Sequence, residues 1–203
     1  MNTKPQILFL SHGGGPMPLL GDVGHKEMID CLQKISSILR KPSAILVVSA
    51  HWEEKIPTIT SGANPSLIYD YYGFPEKSYS ITYPCQGEPS LAEQTYKRLE
   101  HSGISAKLDE QRGFDHGLFI PLKIMYPEAD IPCIQLSLVD NLNPAAHVGI
   151  GRAIRDLEYE NLLIIGSGFS FHNMKAFFSS EISESKTLNE YFEAWLLETW
   201  INS

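Results

Sequence analysis

The chain has 203 residues, 43% of them hydrophobic and 20% charged, enough for one substantial domain with its own core and too few for two comfortable ones. Lys plus Arg number 16 against 24 for Asp plus Glu, a formal charge of -8, which argues against nucleic acid or an anionic membrane as the main partner. No apolar run approaches a membrane span, and Met1 to Gln6 is too short and polar for a signal peptide, so a cytoplasmic protein is expected. Cys31, Cys85 and Cys133 form no Cys-x-x-Cys pair and read as reduced thiols, with Cys31 and Cys133 on core positions and Cys85 in a loop.

Taken in order, Ile7 to Leu10 reads as a buried strand leading into Ser11-His12 and a loop of three glycines and two prolines, Gly13 to Pro18. Asp22 is placed to cap a helix carrying Met28, Cys31, Leu32, Ile35, Ile38 and Leu39 at helical spacing. Ala44 to Ser49 is a second buried strand, ending at His51-Trp52, and the pair makes a β-α-β unit with a right-handed crossover. Thr58 to Ser61 reads as a further strand. Asn64 to Gly87, rich in Pro, Gly and Tyr, is either a lid or pocket wall or a loop pinned by its own aromatics, with Tyr79 to Tyr83 as a candidate short strand.

Pro89 opens a helix through Leu99, and Gln111 to Gly117 is a polar, glycine-flanked segment feeding Leu118 to Leu122. Ile131 to Leu138 reads as a strand, Asn143-Pro144 as the start of a helix through Leu157, and Leu162 to Gly168 as a strand leading toward His172. Thr187-x-x-Glu190 is a capping-box pattern for a last helix bearing Leu188, Tyr191, Phe192, Trp195, Leu196 and Trp200. The fold class this implies is α/β: a single domain with a mixed, mostly parallel central sheet and helices on both faces.

Four histidines, His12, His51, His116 and His172, stand beside small residues just past buried segments. Any one alone reads as a hydrogen-bonded structural histidine. Three strand ends repeating the device point to imidazoles converging on a metal ion, with positions left open for a substrate. His25, His101 and His147 lack that setting and read as surface residues. An esterase reading of His12-Gly13-Gly14-Gly15 fails because no Gly-x-Ser-x-Gly elbow is present, and no phosphate-loop or His-Glu-x-x-His pattern occurs.

Ser11-His12-Gly13-Gly14, Ser49-Ala50-His51-Trp52, Tyr72-Gly73-Phe74-Pro75, Tyr83-Pro84, Phe114-Asp115-His116-Gly117, Met125 to Pro132, Gln135 to Leu138, Gly166-Ser167-Gly168 and His172-Asn173 follow one another in this order. With these motifs the chain resembles the class III extradiol ring-cleavage dioxygenases, in their DOPA-dioxygenase-like branch. The resemblance implies a non-haem Fe(II) enzyme, with Zn(II) also found in such sites, that opens a small-molecule catechol ring beside its hydroxyls using dioxygen. It implies His12 and His51 as metal ligands, His172 as a ligand or the acid/base beside the metal, and His116 as a histidine facing the substrate, either supporting the metal's ligands from behind or acting as acid/base. Tyr72 and Phe74 are candidate aromatic contacts of the substrate, and Asp115 is either a turn residue or a partner that orients an imidazole.

Residues 1–203 are expected to form one catalytic domain, without the family's further C-terminal segment and its histidine motif. Two rival functions remain on the same histidines: a zinc-dependent hydrolase, and a shortened, inactive metal-binding homologue. A homo-oligomer is compatible with the aromatic last helix.

Overall fold

A computed structural model of the protein describes residues 4–170 and 182–201. The chain divides into two compact units, Met1–Gly168 and Phe169–Ser203. In the first, β1 (Gln6–Ser11), β2 (Ala44–Glu54), β3 (Thr58–Thr60), β4 (Lys107–Asp109), β5 (Cys133–Val139) and β6 (Leu162–Gly168) form a six-stranded sheet in the order β1-β6-β2-β5-β3-β4. Strands β1, β6, β2 and β5 run parallel, β3 is antiparallel to β5, and β4 pairs parallel with β3. The sheet is therefore mixed and mostly parallel, as the near-continuous apolar runs of β2 and β6 require of strands covered on both faces.

Alternation along each strand divides the core. Ile45 and Val47 of β2 and Leu163 and Ile165 of β6 pack with Leu32 of α1 (Lys26–Ile38) and with Leu118, Phe119 and Leu122 of α3 (His116–Met125). Their neighbours Ala44, Leu46, Leu162 and Ile164 point the other way, onto Leu91 and Leu99 of α2 (Pro89–His101) and Ile150 and Ile154 of α4 (Pro144–Arg155). Helices lie on both faces because a period of two buries both sides of a central strand. Asn143 caps α4 as its sequence suggests, accepting from the Ala146 amide at 3.1 Å.

Several local expectations give way to tertiary contacts. Asp22 makes no cap bond; a 3-10 turn, Val23–His25, precedes α1, and the Asp22 carboxylate is taken by His25 Nδ1 at 2.6 Å. Tyr79 to Tyr83 is no strand: Glu76–Ser80 is a 3-10 turn, in which the Ser78 amide and hydroxyl both donate to the Pro75 carbonyl. The segment from Leu118 is helical despite Pro121, Cys31 is exposed, and Cys85 is buried. In the second unit α5 spans Ile182–Ile201, so the Thr187 to Glu190 box lies inside the helix and does not start it. Leu188, Tyr191, Trp195 and Leu197 of α5 are exposed. Among the described residues no helix is long and apolar enough to cross a membrane.

Candidate metal centre

Three different backbone devices bring imidazoles to the ends of the parallel strands. His12 follows β1 directly and is 1% exposed. His51 lies within β2, in the stretch where pairing with β5 shifts register between Val48 and Glu53. Such an irregularity lets a strand re-aim a side chain without ending. His116 is the first residue of α3, directly after its cap, Asp115, whose carboxylate accepts from the Gly117 amide at 3.0 Å. One ring nitrogen from each of these histidines lies within 4.8 Å of the others. The His51 ring centroid is 3.9 Å from that of His116 and 4.7 Å from that of His12. The His51 side chain is 30% exposed and that of His116 5%, so His51 is the more open of the two.

Hydrogen bonds assign the protons. Pro121 has no amide hydrogen to give the Gly117 carbonyl one turn earlier in α3. That carbonyl instead accepts the Ser167 hydroxyl at 2.5 Å. With its hydrogen committed there, Ser167 Oγ accepts from His12 Nδ1 at 3.0 Å, leaving the His12 lone pair on Nε2. On the other side, Asp70 Oδ1 accepts from His116 Nδ1 at 2.8 Å and from the His116 amide at 3.0 Å, while Oδ2 stands 3.7 Å from His51 Nδ1. Burial pushes the Asp70 carboxyl up, but the hydrogen bonds it accepts from His116 work against this, and the group stands below its ordinary value.

The donor set fits a divalent transition-metal ion. His12 Nε2 and His51 Nε2 are 2.9 Å apart, and two nitrogens each about 2.1 Å from one ion at a right angle would stand about 3 Å apart. Imidazole nitrogens whose opposite nitrogen is held by a hydroxyl or carboxylate are the usual form of such ligands.

Beneath the cluster, Asp115 is fully buried and its role is wider than a turn. Its Oδ1 accepts from Ser49 Oγ at 2.7 Å and Gln135 Nε2 at 2.9 Å, and its Oδ2 from Arg112 at 3.3 Å. Arg112 in turn lies 4.3 Å from the Trp52 ring centroid. Ser49 also accepts from the His51 amide at 3.2 Å, so one carboxylate ties β2, β5 and α3 together at the residues bearing His51 and His116. Its hydrogen-bond partners among the described residues include no imidazole. A Cβ at Gly117 would fall 2.5 Å from Ser49 Oγ and 3.1 Å from Asp115 Oδ1, which explains the glycine after His116.

Of the residues singled out in the sequence, the described structure brings together His12, His51 and His116; His172 lies outside the described residues. Tyr72 is 88% exposed, and it is Tyr71 that meets His116, with ring centroids 5.6 Å apart. Phe74 packs on Tyr71 at 5.6 Å. His25 is more than a surface residue: its Nε2 accepts from the Gly14 amide at 3.0 Å and so pins the glycine loop after His12. His147 likewise accepts from the Val139 amide at 3.1 Å. Sequence reasoning missed Asp70 and Ser167 as partners of the imidazoles. Ser167 carried a signal in the small-residue run Gly166-Ser167-Gly168, and Asp70 carried none.

A family model described as the catalytic LigB subunit of aromatic ring-opening dioxygenase matches residues 6–203. The chain belongs to this family. Among its relatives, the dioxygenase tasH of Hapsidospora irregularis is 47% identical over 179 residues, covering 84% of this chain and 55% of that one. A 4,5-DOPA dioxygenase extradiol of Portulaca grandiflora is 42% identical over 82% of this chain and 62% of its own, and one of Escherichia coli K12 is 38% identical over 98% and 72%. The crystal structure of the uncharacterized protein JW3007 from Escherichia coli K12 superposes with a TM-score of 0.66 at 32% identity, over 82% of this chain and 64% of that chain. The chain thus spans between half and two thirds of the length of the first two of these relatives.

Proposed function

We propose that residues 1–203 form the catalytic domain of an extradiol ring-cleavage dioxygenase acting on a catechol with non-haem Fe(II) and dioxygen. The observation that carries this reading is the convergence of His12, His51 and His116, with the Nδ1 of His12 and of His116 engaged by partners, in a chain of the LigB family. In this reading His12 and His51 hold the iron, with His172 added on its sequence motif alone. Fe(II) held by these imidazoles would bind the catechol and dioxygen and pass electrons between them.

The protein's own part is proton handling and positioning. His116 keeps Nδ1 engaged by Asp70, which leaves Nε2 to take the catechol proton on binding and return it as the ring opens. The fully buried base beneath it, Asp115 with Gln135 and Ser49, fixes where His51 and His116 stand, which is the larger part of an orientation effect. Phe74, packed edge to face with Tyr71 beside His116, and Tyr72, whose exposed ring is available to cover a ligand, are assigned to the aromatic substrate. The free thiols Cys31, Cys85 and Cys133 suit a reducing compartment, and we place the protein in the cytoplasm.

Oxygen uptake by protein reconstituted anaerobically with Fe(II) and given a panel of catechols, DOPA and protocatechuate among them, tests the reading. Uptake with a new visible absorbance, abolished in His51→Ala, is expected. A protein that binds one metal ion per chain and consumes no oxygen with any of them would overturn it.

A further inference from the structure

The loop Asn64 to Gly87 brings the carboxylate of Asp70 to the cluster, and the backbone is built to deliver it. Leu67 pairs in parallel with Phe114; the Phe114 amide donates to the Ser66 carbonyl and the Ile68 amide to the Phe114 carbonyl, both at 2.8 Å. The two chains approach so closely that a Cβ on Gly113 would lie 2.3 Å from the Ser66 carbonyl oxygen. Running in step from that bridge, two residues past Ile68 and two past Phe114, Asp70 and His116 meet. Phenols on either side anchor the position: Tyr69 donates to the Ile81 carbonyl at 2.7 Å and Tyr71 to the Ser78 carbonyl at 2.6 Å.

At that meeting one carboxylate oxygen receives two donors. The His116 amide can only donate, and an ionised carboxylate can only accept, so the 2.8 Å contact to Nδ1 requires the His116 proton to sit on Nδ1. Resting on the proton-handling role given to His116 above, we propose that Asp70 is a positioning residue for the reaction: it fixes His116 as the Nδ1–H tautomer and thereby reserves Nε2 for the substrate proton. The loop, which in sequence reads either as a lid or pocket wall or as a segment pinned by its own aromatics, is then a strut, whose displacement would release the tautomer of the base. Its second oxygen, 3.7 Å from His51 Nδ1, places the same carboxylate beside a second imidazole of the cluster.

The test compares wild type, Asp70→Ala and Asp70→Asn. Long-range proton–nitrogen NMR of the histidine rings in the metal-free proteins reads the tautomer directly, without iron or turnover. Wild type is expected to show His116 with a pyrrole-type Nδ1 and a pyridine-type Nε2, and Asp70→Ala to show the proton shared with or moved to Nε2. Asp70→Asn, whose amide oxygen can still accept both bonds, is expected to keep the wild-type tautomer. Loaded with Fe(II), Asp70→Ala should lose kcat by about 10- to 100-fold, with KM for the catechol and metal content near wild type.

An unchanged His116 tautomer in Asp70→Ala overturns the proposal. If that variant does not fold, a folded Asp70→Asn with its His116 proton on Nε2 overturns it equally. Should iron-loaded wild type consume no oxygen, the dioxygenase reading falls by itself, and the ring nitrogens of the metal-free proteins still decide the role of Asp70.

Discussion

Removing the Asp115 carboxylate tests whether the site stands on its buried polar base. Asp115 is fully buried and accepts from Ser49, Gln135, Gly117 and Arg112. In Asp115→Ala the α3 cap is lost, at about 1 kcal/mol. The Ser49 hydroxyl and Gln135 amide lose an acceptor inside the protein, and unpaired buried donors cost about 1–3 kcal/mol each where water cannot replace the partner. The Arg112 guanidinium loses its ion-pair partner, and breaking a buried pair costs about 3–5 kcal/mol. Because Arg112 keeps 23% of its side chain open and retains Trp52, its share falls toward the low end. Even the low ends of these costs together reach about 6 kcal/mol, comparable to the roughly 5–15 kcal/mol that holds a domain together. Asp115→Asn, which keeps an acceptor oxygen, should lose less. Urea unfolding followed by circular dichroism measures this as a shift in midpoint at unchanged slope. A loss below about 1 kcal/mol in Asp115→Ala would refute the reasoning, since it would mean the donors find other partners at no cost.

Gly117→Ala forces a Cβ to within 2.5 Å of Ser49 Oγ, and a thermal melt should show it destabilised by about 1–3 kcal/mol. Ser167→Ala removes the acceptor that holds His12 Nδ1 at 3.0 Å, and chelator competition should show metal affinity reduced about 10- to 100-fold. Burial, with Tyr69, Tyr79 and Asp70 nearby, pushes the Tyr71 phenol up to about 12. Since the folded value lies above the unfolded one near about 10, the stability that the neutral phenol contributes is complete below the unfolded value. It is lost as pH rises toward the folded one. Urea midpoints followed through that alkaline range should therefore fall less steeply in Tyr71→Phe than in wild type.

What the sequence made legible is what depends on period and on strand ends. The runs Ala44 to Val48 and Leu162 to Ile165 could only be central strands of a two-faced sheet, and His12 and His51 were found because an imidazole after such a run has few reasons to be there. The helix at Asn143 was readable because cap and proline are local signals. Asp70 was not, since its partner is 46 residues away and is set by a backbone bridge between two irregular segments that no periodicity announces. Asp115 was undervalued for the same reason: a cap looks local, while Ser49 and Gln135 arrive from other strands. Asp22 and Thr187 misled because each carries a good local signal that the tertiary structure uses otherwise, Asp22 to hold His25 and Thr187 inside a longer helix.

The central claim, that the histidine cluster opens a catechol ring with dioxygen, is tested most directly by tracing the oxygen atoms. Iron-loaded protein turning over a catechol under labelled dioxygen in ordinary water should give a ring-opened product carrying both atoms of the labelled molecule at the moment of cleavage, and His51→Ala should give none. A product whose added oxygen comes from water, or turnover that continues without dioxygen, would contradict the account and mark the same imidazoles as a hydrolytic centre.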